Sequence, residues 1–200
     1  FVYVFIKYSN NATGFCVGCK YSFSFETFKK VIDYLMNIGG IEEISISGGE
    51  PFLHPNLFDM IAYCKVRDIR VVLFTSGVKR NKQLTDLEMQ VLKSKVTDHY
   101  RSFKNFPETE VQKAVKHDIN VYEYYNKKKF THITREEMEY LKYLGLDKIV
   151  FDFQGAERET YDYLMGSNHF DEVELSIIKA ASVGLDTDVH FVPMKLNYKE

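Results

Sequence analysis

Two cysteines, Cys16 and Cys19, lie just past an apolar run, and the run Ser47-Gly48-Gly49-Glu50-Pro51 closes the next one. Thiolates in a loop at the end of a strand are soft ligands for iron or zinc. Gly14 and Gly18 allow the tight turns that aim several sulfurs at one point. Two glycines ahead of an acid let the backbone approach a small molecule. A carboxylate held beside them can accept hydrogen bonds from a ligand ammonium. The position that would complete a three-cysteine loop is Ala12.

By itself the Cys16/Cys19 pair allows half of a zinc site, a redox pair or part of an iron–sulfur site. A zinc site needs about four ligands, and the chain has no second Cys-x-x-Cys. A thioredoxin-like pair sits at a helix N-terminus, whereas Cys16 precedes the nearest expected helix by several residues. Iron–sulfur ligation therefore ranks first. The Gly-Gly-Glu-Pro run alone is equally well a plain strand-to-helix turn.

The elements that must position these residues follow from periodicity. Phe1–Tyr8 reads as a buried strand, and a polar loop, Ser9–Phe23, carries the cysteines. Ser24 reads as an N-cap, with Phe25, Phe28, Ile32 and Leu35 on one helical face and Gly39-Gly40 as the stop. Glu43–Ser47 is a strand, Pro55 to Arg67 a helix, and Arg70–Ser76 a third element of the sheet. Gln83–Lys95 reads as a helix, and Thr109–Tyr122 has weaker helical spacing. Thr134 and Glu137 form a capping box ahead of Met138, Leu141 and Leu144. Lys148–Phe153 and Asp188–Met194 are strands, with an amphipathic helix over Phe170–Val183 between them. Strands alternating with helices predict an α/β fold with a parallel sheet and right-handed crossovers, an open or partial (β/α) barrel. Ligands of such folds gather at the C-terminal ends of strands. The expectation is one unit over residues 1–200, with a partly helical insertion over 96–133.

Composition narrows the function. Hydrophobic residues at 45% and aromatics at 15% argue against disorder. A net charge of −2 gives no broad pull toward nucleic acid or an anionic membrane. No apolar run is long enough to span a bilayer, and no secretory signal is legible. Three cysteines in this spacing do not make a secreted disulfide framework, so a reducing cytoplasm is expected. Cys64 falls on the inner face of its helix and reads as packing. His54 reads as a turn residue. His190, on the last strand, divides evenly between core packing and substrate contact.

The chain resembles the radical S-adenosylmethionine (SAM) superfamily, whose Cys-x3-Cys-x2-Cys motif follows the first strand of a partial barrel. Here the matching stretch runs Ala12-Thr13-Gly14-Phe15-Cys16-Val17-Gly18-Cys19. Gly48-Gly49-Glu50-Pro51 matches the family's second motif, and Thr75-Ser76-Gly77 resembles the end of its third strand. Asp152 to Gly166 and Phe191 to Asn197 look like stretches of its peptide-modifying members. The resemblance implies a [4Fe–4S] cluster on cysteines, SAM chelating an open iron, and a 5′-deoxyadenosyl radical that takes hydrogen from substrate. Carried over, Cys16 and Cys19 would be cluster ligands. Gly48, Gly49 and Glu50 would hold the SAM amino group, Ser76 and Asp152 would face ribose or carboxylate, and Gly18 and Val192 would border adenine. The substrate would be a small molecule or a peptide, and the electron donor a reductant protein such as flavodoxin or ferredoxin. A sixth strand and any C-terminal domain would lie beyond Glu200.

Three departures bear on this. Ala12 removes one thiolate, so the chain as written is expected to be inactive. Gly18 replaces an aromatic, and Met165 stands where relatives often have arginine. The surviving pattern favours Ala12 as an engineered change in an active enzyme over natural degeneration. The rivals are a non-catalytic descendant that keeps a small-molecule or peptide pocket, and a zinc or redox Cys-x-x-Cys protein.

Overall fold

A computed structural model describes residues 24–103 and 106–200 in full, and residues 2–8 and 15–17 as strand backbone. Ala12, Gly18 and Cys19 lie outside the described residues, and Cys16 is described by its backbone alone. The chain forms two units, Phe1–Lys79 with His132–Glu200, and Arg80–Thr131.

The first unit is built on β1 (Val2–Tyr8), β2 (Phe15–Val17), β3 (Ile41–Gly48), β4 (Arg70–Thr75), β7 (Lys148–Asp152) and β8 (Thr187–His190). They form one sheet in the order β2-β1-β3-β4-β7-β8. From β3 to β8 every pairing is parallel. Two short strands, β5 (Val78–Arg80) and β6 (Phe130–His132), make a separate two-stranded sheet. The chain is thus α/β with a four-stranded parallel sheet.

The first strand differs from expectation. It runs antiparallel to β3, with Val2 opposite Gly48 and Val4 opposite Ile46. Phe15-Cys16-Val17 is itself a short apolar strand and folds back on β1 as a local antiparallel partner. Cys16 therefore belongs to a strand, in register with Phe5, and Phe5 with Ser45. Two reversals leave β2 pointing the same way as β3.

Strand order β3-β4-β7-β8 never reverses, so each crossover returns on the same side. Helices α1 (Phe25–Ile38), α2 (Leu57–Lys65), α5 (Arg135–Tyr143) and α7 (Phe170–Ser182) accordingly pack on one face. Phe28, Ile32, Leu57, Ile61, Met138, Leu141 and Ala180 meet Ile44, Ile46, Val71, Leu73, Ile149 and Phe151 there. Residues between these on the strands take the other face. Register rows Ser45–Val72–Lys148, Phe74–Val150–Asp188 and Asp152–His190 make it far more polar. A short helix, α6 (Arg158–Met165), follows β7 and ends on Gly166 in the left-handed conformation.

The second unit pairs α3 (Asp86–Arg101) with α4 (Glu108–Lys127). A Thr85–Glu88 capping box starts α3. Val111, Val115 and Ile119, one turn apart on α4, form its core with Val96 and Tyr100.

Candidate functional site

Strand β3 ends in Gly48, whose φ of 139° suits only glycine, and the chain turns through Gly49 into a 3₁₀ turn at Pro51–Leu53. Glu50 stands at the head of that turn, 8% exposed. Its Oε1 accepts hydrogen bonds from the Thr75 hydroxyl at 2.7 Å and from the Phe52 N–H at 3.0 Å. Its Oε2 accepts from the Ser76 N–H at 2.8 Å and from the Ser76 hydroxyl. Thr75 Oγ1 in turn accepts the Gly77 N–H at 2.9 Å. The carboxylate thus binds the turn after β3 to the end of β4. Burial pushes its pKa above the ordinary carboxylate range, against the hydrogen bonds from Ser76, Phe52 and Thr75.

Beside this brace a cavity of about 300 Å³ opens at the C-terminal ends of the parallel strands. Ser47 and Gly48 line it from β3 with Gly49 just beyond, Phe74 and Thr75 from β4 with Ser76 just beyond, Val150 and Asp152 from β7, and His190 from β8. Four residues marked in the sequence, Gly48, Gly49, Ser76 and Asp152, come together here. Glu50 supports the wall through Thr75 and Ser76. Val192 lies outside the lining but is tied to it, its N–H donating to Gln154 Oε1 at 2.8 Å. His190, divided between core and substrate contact in the sequence, is an exposed lining residue.

Asp152 is held from behind. Gln154 Nε2 donates to Asp152 Oδ1 and, at 3.3 Å, to the His190 carbonyl. Gly155 permits the close start of α6, since a Cβ there would come within 2.8 Å of the Tyr161 nitrogen. Tyr161 is 1% exposed, its ring 5.0 Å from that of Phe153 and 5.6 Å from that of Phe170. Burial, then the charge of Asp152, pushes its phenol well above the usual range.

The sequence reading missed Gln154's bond to Asp152 and the role of Asn197, which makes three hydrogen bonds from full burial. An amide two residues past an acid at the end of a strand was the available signal for the first. Asn197 closed a stretch marked by resemblance, but nothing local told that its amide reaches Gln154. His54 is a turn residue, its Nδ1 accepting the Asn56 N–H at 3.1 Å. Cys64 is fully buried among helix–sheet residues, and burial pushes its thiol up to about 12.

Among the described residues no three His, Cys, Asp or Glu side chains group to hold a metal ion. No described helix is long and apolar enough to cross a membrane. No family model matches the chain, and no curated protein matches it.

Proposed function

We propose that the first unit is a partial (β/α) barrel of the radical SAM type, and that its strand-end cavity binds an adenosyl ligand of the SAM kind. One observation carries the reading. Three stretches of sequence, far apart in the chain and each matched to a motif of that family, bring Gly48-Gly49, Ser76 and Asp152 to one cavity at the ends of parallel strands. Non-reversing strand order, with helices on one face, also supports a barrel type. The antiparallel β1 is a departure from that family's plan.

The cavity fits the ligand by its chemistry. Gly48 and Gly49 offer bare backbone, Asp152 a carboxylate for hydroxyl or amine donors, and Phe74 and Val150 an apolar floor. The Thr75 and Ser76 hydroxyls are committed to Glu50, so they stiffen the wall. The cluster does not fit as well. Cys16 and Cys19 supply two thiols, and Cys64 is walled into the core. On this reading the enzyme acts on a small molecule or peptide in a reducing cytoplasm, with a flavodoxin or ferredoxin as electron donor, once a third thiolate is present. A second reading, favoured by Ala12, is a binding scaffold that keeps the cavity and has lost the chemistry.

Anaerobic reconstitution of this chain and of Ala12→Cys with iron and sulfide separates the two. The enzyme reading expects iron, brown absorbance and reductant-dependent release of 5′-deoxyadenosine from the variant alone. A colourless variant that still binds SAM by calorimetry hands the case to the scaffold. Failure of both proteins to bind SAM overturns the cavity assignment, and tight zinc in the unaltered chain would favour a Cys-x-x-Cys metal protein.

A further inference from the structure

We infer that Gln154 and Asn197 are positioning residues that aim the Asp152 carboxylate into the cavity, and that through it they set a preference for ligands carrying a ribose diol. The inference rests on the proposed adenosyl ligand and adds to it the part of the chain that enforces the selection.

The geometry leaves each amide one orientation. The Val192 N–H can only donate, so the atom facing it at 2.8 Å is Gln154 Oε1. Nε2 is then left to donate to Asp152 Oδ1 and to the His190 carbonyl. Asn197 is fixed in the same way. Its Oδ1 accepts the Met194 N–H at 2.5 Å, so its Nδ2 donates to the Gln154 carbonyl at 2.7 Å and the Val192 carbonyl at 3.1 Å. Gln154 is 7% exposed and Asn197 is fully buried. Each therefore holds its geometry without competition from water.

The result is a chain of bonds from the segment after β8 to one oxygen of Asp152. That oxygen is occupied by the Gln154 amide. Asp152 lines the cavity, and its other oxygen is not engaged by that amide and can accept from a ligand there. The Thr75 and Ser76 hydroxyls both donate to Glu50. Asp152 is accordingly the lining carboxylate placed to accept from a vicinal diol.

The test uses the full chain and two probes, adenosine and 2′,3′-dideoxyadenosine, with binding measured by calorimetry. The unaltered chain should prefer adenosine by about tenfold or more, the scale of a hydrogen bond to a charged group. Gln154→Glu is isosteric and keeps the oxygen that faces Val192, but sets an oxygen against Asp152. It should reduce the preference to near unity while binding of the dideoxy probe persists. Asn197→Ala should shrink the preference in the same direction. Because either variant could lose the fold, the exchanged pair Asp152→Asn with Gln154→Glu serves as a second arm. It restores the donor–acceptor contact and leaves a neutral oxygen in place of the carboxylate toward the cavity, so thermal stability should recover while the preference returns only in part. Equal weakening of both probes in Gln154→Glu would mean a merely structural role and overturn the inference. So would a preference that survives it. Absence of any preference in the unaltered chain would instead sink the ribose assignment of Asp152, and this inference with it.

Discussion

Glu50 has two oxygens and four donors, and among the donors are two backbone N–H groups, Phe52 at one oxygen and Ser76 at the other. Glu50→Gln is therefore not a mild change. Whichever way the amide turns, its NH₂ meets a backbone N–H, and the variant should lose about 1–3 kcal/mol in urea unfolding. The pH dependence has a definite sign. Burial raises the pKa of Glu50 in the folded chain, so the native state holds that proton more tightly than the unfolded one. Its contribution is complete below the ordinary carboxylate range and is lost as pH rises through the raised value. The stability difference between native protein and Glu50→Gln should thus be widest below the ordinary carboxylate range and narrow as pH rises above it; a gap that widens instead contradicts the burial argument. The letters Gly-Gly-Glu marked this turn in the sequence. They did not tell that the carboxylate turns to Thr75 and Ser76, because those partners come 25 and 26 positions later. Asp152 was marked by its place in a stretch that resembles a known family, whereas the role of Asn197 depends on a bond across 43 positions.

Elements with local signals were the readable ones. Ser24 caps α1 as expected, accepting the Thr27 N–H at 3.2 Å, and the Thr134–Glu137 box starts α5. The final strand was expected to reach Met194 but stops at His190. Pro193 has no N–H for a ladder, and the Met194 N–H goes to Asn197. Helix α6 was missed, although Gly166 was a stop signal in view. The same scale yields a paired prediction on glycines. Gly77 has φ +80°, and a Cβ there would lie 3.0 Å from Val173 and 3.1 Å from Phe151. Gly166 has φ +61° with open space around it. Gly166→Ala should cost about 1 kcal/mol, the backbone penalty alone. Gly77→Ala adds overpacking and should cost about 2–4 kcal/mol. Equal losses in chemical denaturation would refute the packing half.

The parallel sheet was legible as a whole because hydrophobic runs alternated with helical periods; the direction of β1 was not. An apolar run such as Val2–Ile6 suits either direction, and in the structure it pairs antiparallel with both β2 and β3. Cys64 offers a readout of the first unit's fold. It sits in the main core, so alkylation of it in native protein should wait on global unfolding and become fast in denaturant. Rapid native labelling at Cys64 would mean a looser core than described. The two faces of the sheet have a last consequence, for evolution. Along β7, Ile149 and Phe151 answer to the helices, and Lys148 and Asp152 take the opposite face. Neighbouring codons of one strand thus sit under separate selection, one set for cellular abundance and the other for what the protein recognises. A lineage could trade its ligand by changing every second residue and keep its foundations untouched.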